Sequence, residues 1–344
     1  MMWLGQDTGG MTVLGIESSC DDTAAAVVDD AAVRASVVSS QYDIHEAYGG
    51  VVPELASRDH QRAIVPVVQQ ALADANTSAD ALDAVAVTHG PGLPGSLLVG
   101  VSFAKAFAQA RSLPLIGVNH LEGHVYSADL SDDPPPRPYL CLIVSGGHTE
   151  LVQVTPDLHH VVMGRTRDDA AGEAFDKVAQ MVALGYPGGP PIDRHAAEGD
   201  PSFHDFPRSQ LDGFDFSFSG LKTSVLYFLR DIPESTRAAW VADHLDDLCA
   251  SFQAAVVDVL VDAVRRAVHK TDIRHVAVVG GVSANTALRH TLASAATTDD
   301  FTLHVPPMAY CMDNAAMIAH AGRLHMQAGH RSPPTLDIAP RLGL

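Results

Sequence analysis

Residues 12–28 read TVLGIESSCDDTAAAVV, two short apolar runs on either side of the small, acidic turn ESSCDD. Runs of this length bounded by a polar turn predict a β-hairpin whose loop faces a ligand. The plan recurs at 139–154, YLCLIVSGGHTELVQV, with SGGH as the turn, and that echo predicts two related domains. Outward from the first hairpin, residues 53–75 carry apolar positions at helical spacing. Ala84–Thr88 is a short buried strand ending in HGPGLPGS, after which 96–110 resume a helical pattern. Outward from the second, 240–269 read as one long amphipathic helix, and HVAVVGGVSANTALRHTL at 275–292 reads as strand, glycine turn and helix. FDFSFSGLKT at 214–223 alternates Phe214, Phe216 and Phe218 as in a strand with one buried face.

The proline-rich segment SDDPPPRP, 131–138, breaks every regular element and predicts a boundary. The expected organisation is an extension at residues 1–11, a first domain of 12–138 plus about 308–344, and a second domain of 139–307. In MDNAAMIA, Asp313 or Asn314 is placed to cap a last helix that returns to the first domain. With 344 residues, 47% of them hydrophobic, the chain can supply two cores.

Composition excludes several function classes. No apolar run reaches the roughly 18 residues of a membrane span. The start MMWLGQDTGG lacks the basic residues and apolar core of a secretory signal, so a cytoplasmic chain without membrane attachment is expected. Cys20, Cys141, Cys249 and Cys311 are far apart and form no C-x-x-C pair, which argues for free thiols over a disulfide framework or zinc ribbon. The 41 acidic residues, 33 Asp and 8 Glu, against 22 basic ones give a net charge of −19, and only Lys105, Lys177, Lys222 and Lys270 are lysines. Such a field repels polyanions at long range, so any nucleic-acid contact needs a local basic patch, a partner protein or high salt. The Asp-rich, Lys-poor balance also suits a salt-rich cytoplasm, where screening weakens self-repulsion.

Three turns stand at strand ends: ESSCDD after Ile16, SGGH after Val144 and GGVSAN after Val279. Glycine lets backbone approach a ligand, and free N–H groups at a following helix suit phosphate oxygens. Three such turns in a two-domain α/β chain predict nucleotide binding and the architecture of the actin-like ATPase superfamily, two ribonuclease-H-like domains clasping a nucleotide–metal site. No G-x-x-x-x-G-K-[ST] occurs, and GPGLPGS does not match G-x-G-x-x-G, so a P-loop and a dinucleotide fingerprint are both excluded. In NHLEGHVYSADL, 119–130, His120 and His124 are four apart, on one helix face about 5–6 Å from each other. That spacing permits a shared ion and equally permits packing. Glu122 lies at i+2, on another side, which argues against an H-E-x-x-H protease. The acidic run RDDAAGEAFDK at 167–177 equally suits a solvated helix start.

In unbroken order, IESSCDDT, GGVVPELASRDH, HGPGLPGSLLVG, NHLEGH, LIVSGGHTEL, RDDAAGEAFDK, YPGGPPID, FDFSFSGLKT, GGVSAN and MDNAAMIA closely resemble the tRNA threonylcarbamoyladenosine transferase family in its bacterial and organellar form, TsaD. The resemblance spans roughly residues 12 to 330. It implies transfer of the threonylcarbamoyl group from threonylcarbamoyl-adenylate to N6 of adenosine 37 in tRNAs reading ANN codons, with AMP released. It also implies one divalent ion, Fe²⁺ or Zn²⁺, on His120, His124 and Asp313, donors that suit either metal. Ile143, Val144, Ser145, Gly146, Gly147, Asp176, Gly189, Asp193 and Asn285 match the family's adenylate-holding positions. Asp21 and Asp22 match an acidic pair near phosphate and metal and are the candidates for a catalytic base, although the family commonly has Glu at the position of Asp22. Implied partners are tRNA with a TsaB-like inactive paralogue and a TsaE-like ATPase, or a homodimer on the mitochondrial pattern. The competing reading is a conventional actin-like ATPase, a small-molecule kinase or ATP-driven switch, which leaves the histidine pair without a role.

Overall fold

A computed structural model describes residues 10–30 and 32–344. Residues 1–9 of the expected N-terminal extension lie outside the described residues. In chain order the elements are β1 (Val13–Glu17), β2 (Asp22–Val28), β3 (Val33–Ser40), α1 (Tyr42–Glu46), α2 (Pro53–Asp74), β4 (Ala84–Gly90), α3 (Pro94–Arg111), β5 (Leu115–Asn119) and α4 (His120–Ser127). Next come β6 (Tyr139–Val144), β7 (Thr149–Val154), β8 (His160–Arg165), α5 (Ala171–Met181), α6 (Gly189–Ala196), α7 (Ser219–Asp231), α8 (Glu234–Asp243) and α9 (Leu245–Thr271). The chain closes with β9 (His275–Val279), α10 (Thr286–Asp299), β10 (Thr302–His304) and α11 (Ala315–Gln327).

Two compact units result. One comprises the described residues up to Asp43, Val51–Tyr126 and Asp313–Gly343; the other comprises Ile44–Gly50 and Ser127–Met312, together with Leu344. Each contains a five-stranded mixed sheet, in the order β3-β2-β1-β4-β5 and β8-β7-β6-β9-β10 respectively. In both, the first three strands are antiparallel neighbours and the last two run parallel to the first. The hairpin expected at 12–28 is β1–β2, with Ile16 opposite Ala25, and its echo at 139–154 is β6–β7, with Leu142 opposite Leu151. Central strands are buried on both faces and read as unbroken apolar runs, VLGIE in β1 and YLCLIV in β6, whereas edge strand β3 alternates.

In the first unit, Leu14, Ile16, Ala25, Val27, Val85 and Val87 share one apolar cluster with Ile64, Val67 and Val68 of α2 and Val101 and Ala104 of α3. The alternate positions of the same strands are small and receive α11. A Cβ on Gly15 would lie 2.3 Å from the Ala315 carbonyl oxygen, so only glycine lets α11 sit this close to β1. In the second unit, Phe175 of α5 meets Phe252 of α9 edge-on at 5.3 Å, and Phe206, Phe216 and Phe218 complete the same core.

Three expectations change. The helix expected at 240–269 is two helices, because His244 leaves helical backbone geometry, stacks on Trp240 at 4.3 Å and bonds its carbonyl through Nδ1. Asp246 and Asp247 then favour the start of α9. Phe214, Phe216 and Phe218 are all buried, but the segment is not a strand in a ladder: Phe216 makes a single bridge to Thr166. The Asp168 carboxylate accepts from the N–H groups of Phe218 and Ser219 and draws the chain into α7. The units divide at Tyr126/Ser127, ahead of SDDPPPRP. The reason is local: His304 of β10 binds the Asp133 carbonyl at 2.9 Å, tying the proline-rich segment to the second sheet's edge.

Of the two expected caps for the last helix, Asn314 is the one used, its side chain accepting from the Met317 N–H at 2.9 Å. Replacing it with Ala should cost about 1 kcal/mol of stability, as for other lost N-caps, read as a lowered urea midpoint with unchanged slope. An unchanged midpoint would show that α11 is held by packing alone.

Candidate functional site

Asn314 performs the capping, and the residue before it faces the histidine pair. Asp313 Oδ1 lies 3.1 Å from Nε2 of His124 and 3.6 Å from Nε2 of His120. β5 ends at Asn119 and α4 begins at His120, so the strand delivers the first histidine to the sheet's edge, and one helical turn stacks His124 beside it, ring centroids 4.7 Å apart. The three donor atoms all lie within 4.8 Å of one another. A tetrahedral ion with bonds of about 2.0–2.1 Å holds its ligand atoms about 3.4 Å apart, and the two separations from Asp313 to the histidines lie close to that spacing. Nitrogen and carboxylate donors fit Fe²⁺ and Zn²⁺ alike.

Glu17 fixes the site from behind. It ends β1 with 1% exposure, and its carboxylate accepts from the Ser19 N–H, from the Thr88 hydroxyl at 2.6 Å and from Nδ1 of His120 at 3.0 Å. A carboxylate on Nδ1 sets the ring's tautomer and turns Nε2 toward Asp313. Burial alone would push His120 down, but the carboxylates of Glu17 and Asp313 overcome it and raise the imidazole to about 9. Burial likewise works against ionisation of Glu17, and the His120 cation outweighs it, leaving Glu17 lowered. In the ion-free protein a proton on His120 therefore supplies the positive charge that the carboxylates require.

The acidic turn sits within the same unit. Asp22 is raised to about 7, first by burial and then by Asp313, Asp21 and Glu17, and its Oδ1 has no hydrogen-bond partner among the described residues. Asp21 contributes to that repulsion, while its carbonyl receives the Gln41 N–H. Burial raises the Cys20 thiol well above its ordinary value, so it is no nucleophile. The turn is held from two sides. His60 of α2 bonds the Cys20 carbonyl at 3.0 Å and the Thr23 hydroxyl at 2.7 Å, and HGPGLPGS places the Leu93 N–H on the Ser19 carbonyl and the Ser96 hydroxyl on that of Cys20. The glycine-proline turn is thus a buttress for the acidic one.

In the second unit, the candidate adenylate residues fall along one connected path. Ile143 and Val144 are fully buried in β6, so their side chains serve the core and only their backbone can meet a ligand. Ser145 closes the hairpin turn, its hydroxyl accepting from the His148 N–H, and its carbonyl receives the Gly172 N–H at the start of α5. Asp176 of α5 accepts from the Gly188 N–H at 2.7 Å, which fixes the turn that leads into α6. Asp193 of α6 accepts from both the N–H and hydroxyl of Thr286, and Asn285 caps α10 while donating to Gln253. Beside Gly146, Gly147, Gly189 and Gly281 there is open space where a side chain would otherwise stand.

The TsaD family model, described as tRNA N6-adenosine threonylcarbamoyltransferase, matches residues 32–320. A relative of that name from Salinibacter ruber is 70% identical over 334 residues, covering 97% of this chain and 100% of the relative. Another from Desulforapulum autotrophicum is 53% identical over 334 residues, covering 96% and 99%. The chain belongs to the TsaD family. Among solved structures, HypF from T. kodakarensis aligns with TM-score 0.61 at 12% identity over 93% of this chain and 48% of HypF. Component A of (R)-2-hydroxyglutaryl-CoA dehydratase from Acidaminococcus fermentans aligns with TM-score 0.55 at 13% identity, over 93% and 100%. At that identity the likeness shows the fold alone, the actin-like one.

Sequence reasoning missed Glu17 beside the histidine pair, as it missed the two lysines on Asp169. The signal for Glu17 was a carboxylate closing an otherwise apolar central strand, which burial forbids without partners. Asp169 receives Lys222 at 2.7 Å and Lys177 at 3.1 Å, so the acidic run is an ion-pair hub and not a solvated helix start. Glu17→Gln should weaken Zn²⁺ or Co²⁺ binding about 10–100-fold, the range for lost carboxylate–histidine support. In the ion-free protein it should also bring the His120 titration, followed by NMR, down from about 9. Unchanged metal affinity would remove Glu17 from the site.

Proposed function

We propose that this TsaD chain transfers the threonylcarbamoyl group of threonylcarbamoyl-adenylate to N6 of adenosine 37 in tRNAs reading ANN codons, releasing AMP. The observation that carries the reading is an intact His120–His124–Asp313 triad, backed by Glu17, in a chain that matches transferases of this family along their whole length. Here His120, His124 and Asp313 are the metal ligands. A divalent ion held there would act as a Lewis acid on phosphate or carbamoyl oxygen.

The chain's own groups do the rest. The adenine amine is a poor nucleophile because its lone pair is delocalised into the ring, so its proton needs an acceptor as the bond to the carbamoyl carbon forms. Asp22 takes that role: a half-buried carboxylate with an oxygen unengaged among the described residues suits a general base. Its proton comes from N6, the N6–C bond forms, the bond from carbon to the phosphate oxygen breaks, and AMP leaves with the electron pair. Asp21, beside it, keeps the turn acidic. For the adenylate, Gly146 and Gly147 offer backbone N–H groups with open space around them. Asp193 retains lone pairs beyond those used by Thr286, and the Asn285 amide retains one donor and one acceptor site, so both can still meet a nucleoside.

With a net charge of −19, productive docking of tRNA falls to local arginines and to partners: a TsaB-like inactive paralogue with a TsaE-like ATPase, or a second copy of this chain. No helix among the described residues is long and apolar enough to cross a membrane.

The deciding experiment supplies labelled threonylcarbamoyl-adenylate and unmodified ANN-decoding tRNA to the wild type and to His120→Ala, alone and with those partners, at several salt concentrations. Transfer by the wild type and none by the variant is expected; steady ATP hydrolysis without tRNA and no transfer would instead favour an actin-like ATPase. Asp22→Asn should slow transfer about 10²–10⁴-fold. Its effect on stability has a defined sign. A carboxylate raised from 3.8 to about 7 favours the fold fully below 3.8 and loses that contribution as pH rises through 7. Asp22→Asn should therefore raise the Tm of the metal-free protein above pH 7 and leave it unchanged below 3.8. Added metal should shrink the gain, because a nearby cation lowers the carboxyl's pKa.

A further inference from the structure

Glu122 and Gly123 lie between the two histidines of α4, and neither is a metal donor. The Glu122 carboxylate accepts from Nε2 of His325, in the last turn of α11, at 2.9 Å. The next residue is placed against the same helix: a Cβ on Gly123 would lie 2.7 Å from Cδ1 of Ile318 and 3.2 Å from Cγ of Met317. Glycine therefore lets the backbone of α4 rest on α11 at the point where the ion pair ties it down. α11 in turn starts at Ala315, capped by Asn314, with Asp313 just before the cap. The three donors of the triad thus come from one helix and from the residue leading into another, and the contacts at 122 and 123 set how those two helices meet.

We propose that Glu122 and His325 are a positioning pair for the metal triad, fixing the roll of α4 on α11 and with it the reach of His120 and His124 to Asp313. The inference rests on the metal reading given above. Metal bonds tolerate errors of about 0.2 Å, far less than the slack of a single helix turn held only by apolar contact. The bridge is well placed for such a role, with side-chain exposures of 12% for Glu122 and 26% for His325. The bond to Glu122 raises the His325 titration against the opposing effect of burial, which favours the charged form of the pair. The titratable groups facing His325 are Glu122 from α4 and His330, whose Nδ1 is 3.4 Å from its own Nδ1.

The test is a Co²⁺ titration followed by visible absorption, on the full chain and on Glu122→Ala, His325→Ala, His325→Arg and Arg265→Ala. The last removes an ion pair between a half-exposed arginine and Asp299 in the other unit and serves as a control for general loss of stability. Both α4–α11 alanine variants should bind Co²⁺ about tenfold more weakly, at the low end for residues supporting a metal site, with an altered absorption band. His325→Arg should restore both affinity and band by keeping a cation opposite Glu122, and Arg265→Ala should bind as the wild type does. If Glu122→Ala does not fold, His325→Ala decides alone, since its side chain is partly exposed. Wild-type affinity and spectrum in the alanine variants would overturn the positioning role while leaving the metal site standing. Absence of any Co²⁺ band in the wild type would remove both.

Discussion

The buried pairing of Glu17 with His120 is the constraint on which the site depends. A carboxylate at 1% exposure closing a central strand cannot be left unpaired, because an uncompensated charge there costs several kcal/mol. Its partners come from three elements: Ser19 from the acidic turn, Thr88 from β4 and His120 from α4. Satisfying one charge therefore fixes the turn, the neighbouring strand and the first histidine relative to one another. The orientation of His120 is inherited from the end of β1, with the Ser19 hydroxyl of the turn 3.2 Å from the same Nδ1. His60 and the 90–96 turn then hold the Cys20 carbonyl, so the acidic turn has little freedom of its own.

The charge pattern divides along the same lines. In the first unit burial, and after it the repulsion of Asp313, Asp21 and Glu17, raises Asp22 to about 7, a concentration of negative charge that a cation or a proton relieves. In the second unit two of the four lysines are committed to Asp169, so they are not free to meet phosphate. Several arginines are engaged in the same way, among them Arg167 with Asp215, Arg208 with Asp258, Arg266 with Asp262 and Arg274 with Asp272. Exposed pairs of this kind each contribute little to stability. Their larger effect is on binding: an arginine already facing an aspartate must exchange it for phosphate. The net attraction for a polyanion is then smaller than a count of arginines would give. Salt weakens the intramolecular pair and the phosphate contact together.

The sequence was legible where one local rule decided the outcome. The two hairpins and their parallel continuations follow from apolar runs and turns alone, and the second repeats the first. It was misleading where a distant group intervened. Residues 240–269 keep an apolar periodicity through His244, but the stacking of that ring on Trp240 breaks the helix, and periodicity does not register stacking. Phe214, Phe216 and Phe218 alternate like a strand and are buried like one, yet Asp168 captures the N–H groups that a ladder would have used. In the candidate site, the histidine spacing permitted an ion without requiring one. What makes the pair a coherent donor set is Glu17 on one side and Asp313 on the other, and neither partner is close to it in sequence.

That distance explains a feature of the first hairpin that looks weak in isolation. TAAAVV in β2 is a poor source of apolar area, and GIE in β1 interrupts a central strand with glycine. On the face that packs against α2 and α3, larger residues such as Leu14, Ile16 and Val27 build the core. On the other face Gly15, Ala24, Ala26 and Ala86 leave room for α11, whose own Gly322 would carry a Cβ to 2.4 Å from that of Ala86. The whole of residues 128–312 separates α4 from Asp313 along the chain, and the small-residue face is what seats the returning helix against the sheet. A side chain on Gly15 would meet the Ala315 carbonyl oxygen at 2.3 Å and push the start of α11, with Asp313 before it, away from the sheet. The alanines that contribute least to burial are therefore the ones that bring Asp313 to the two histidines.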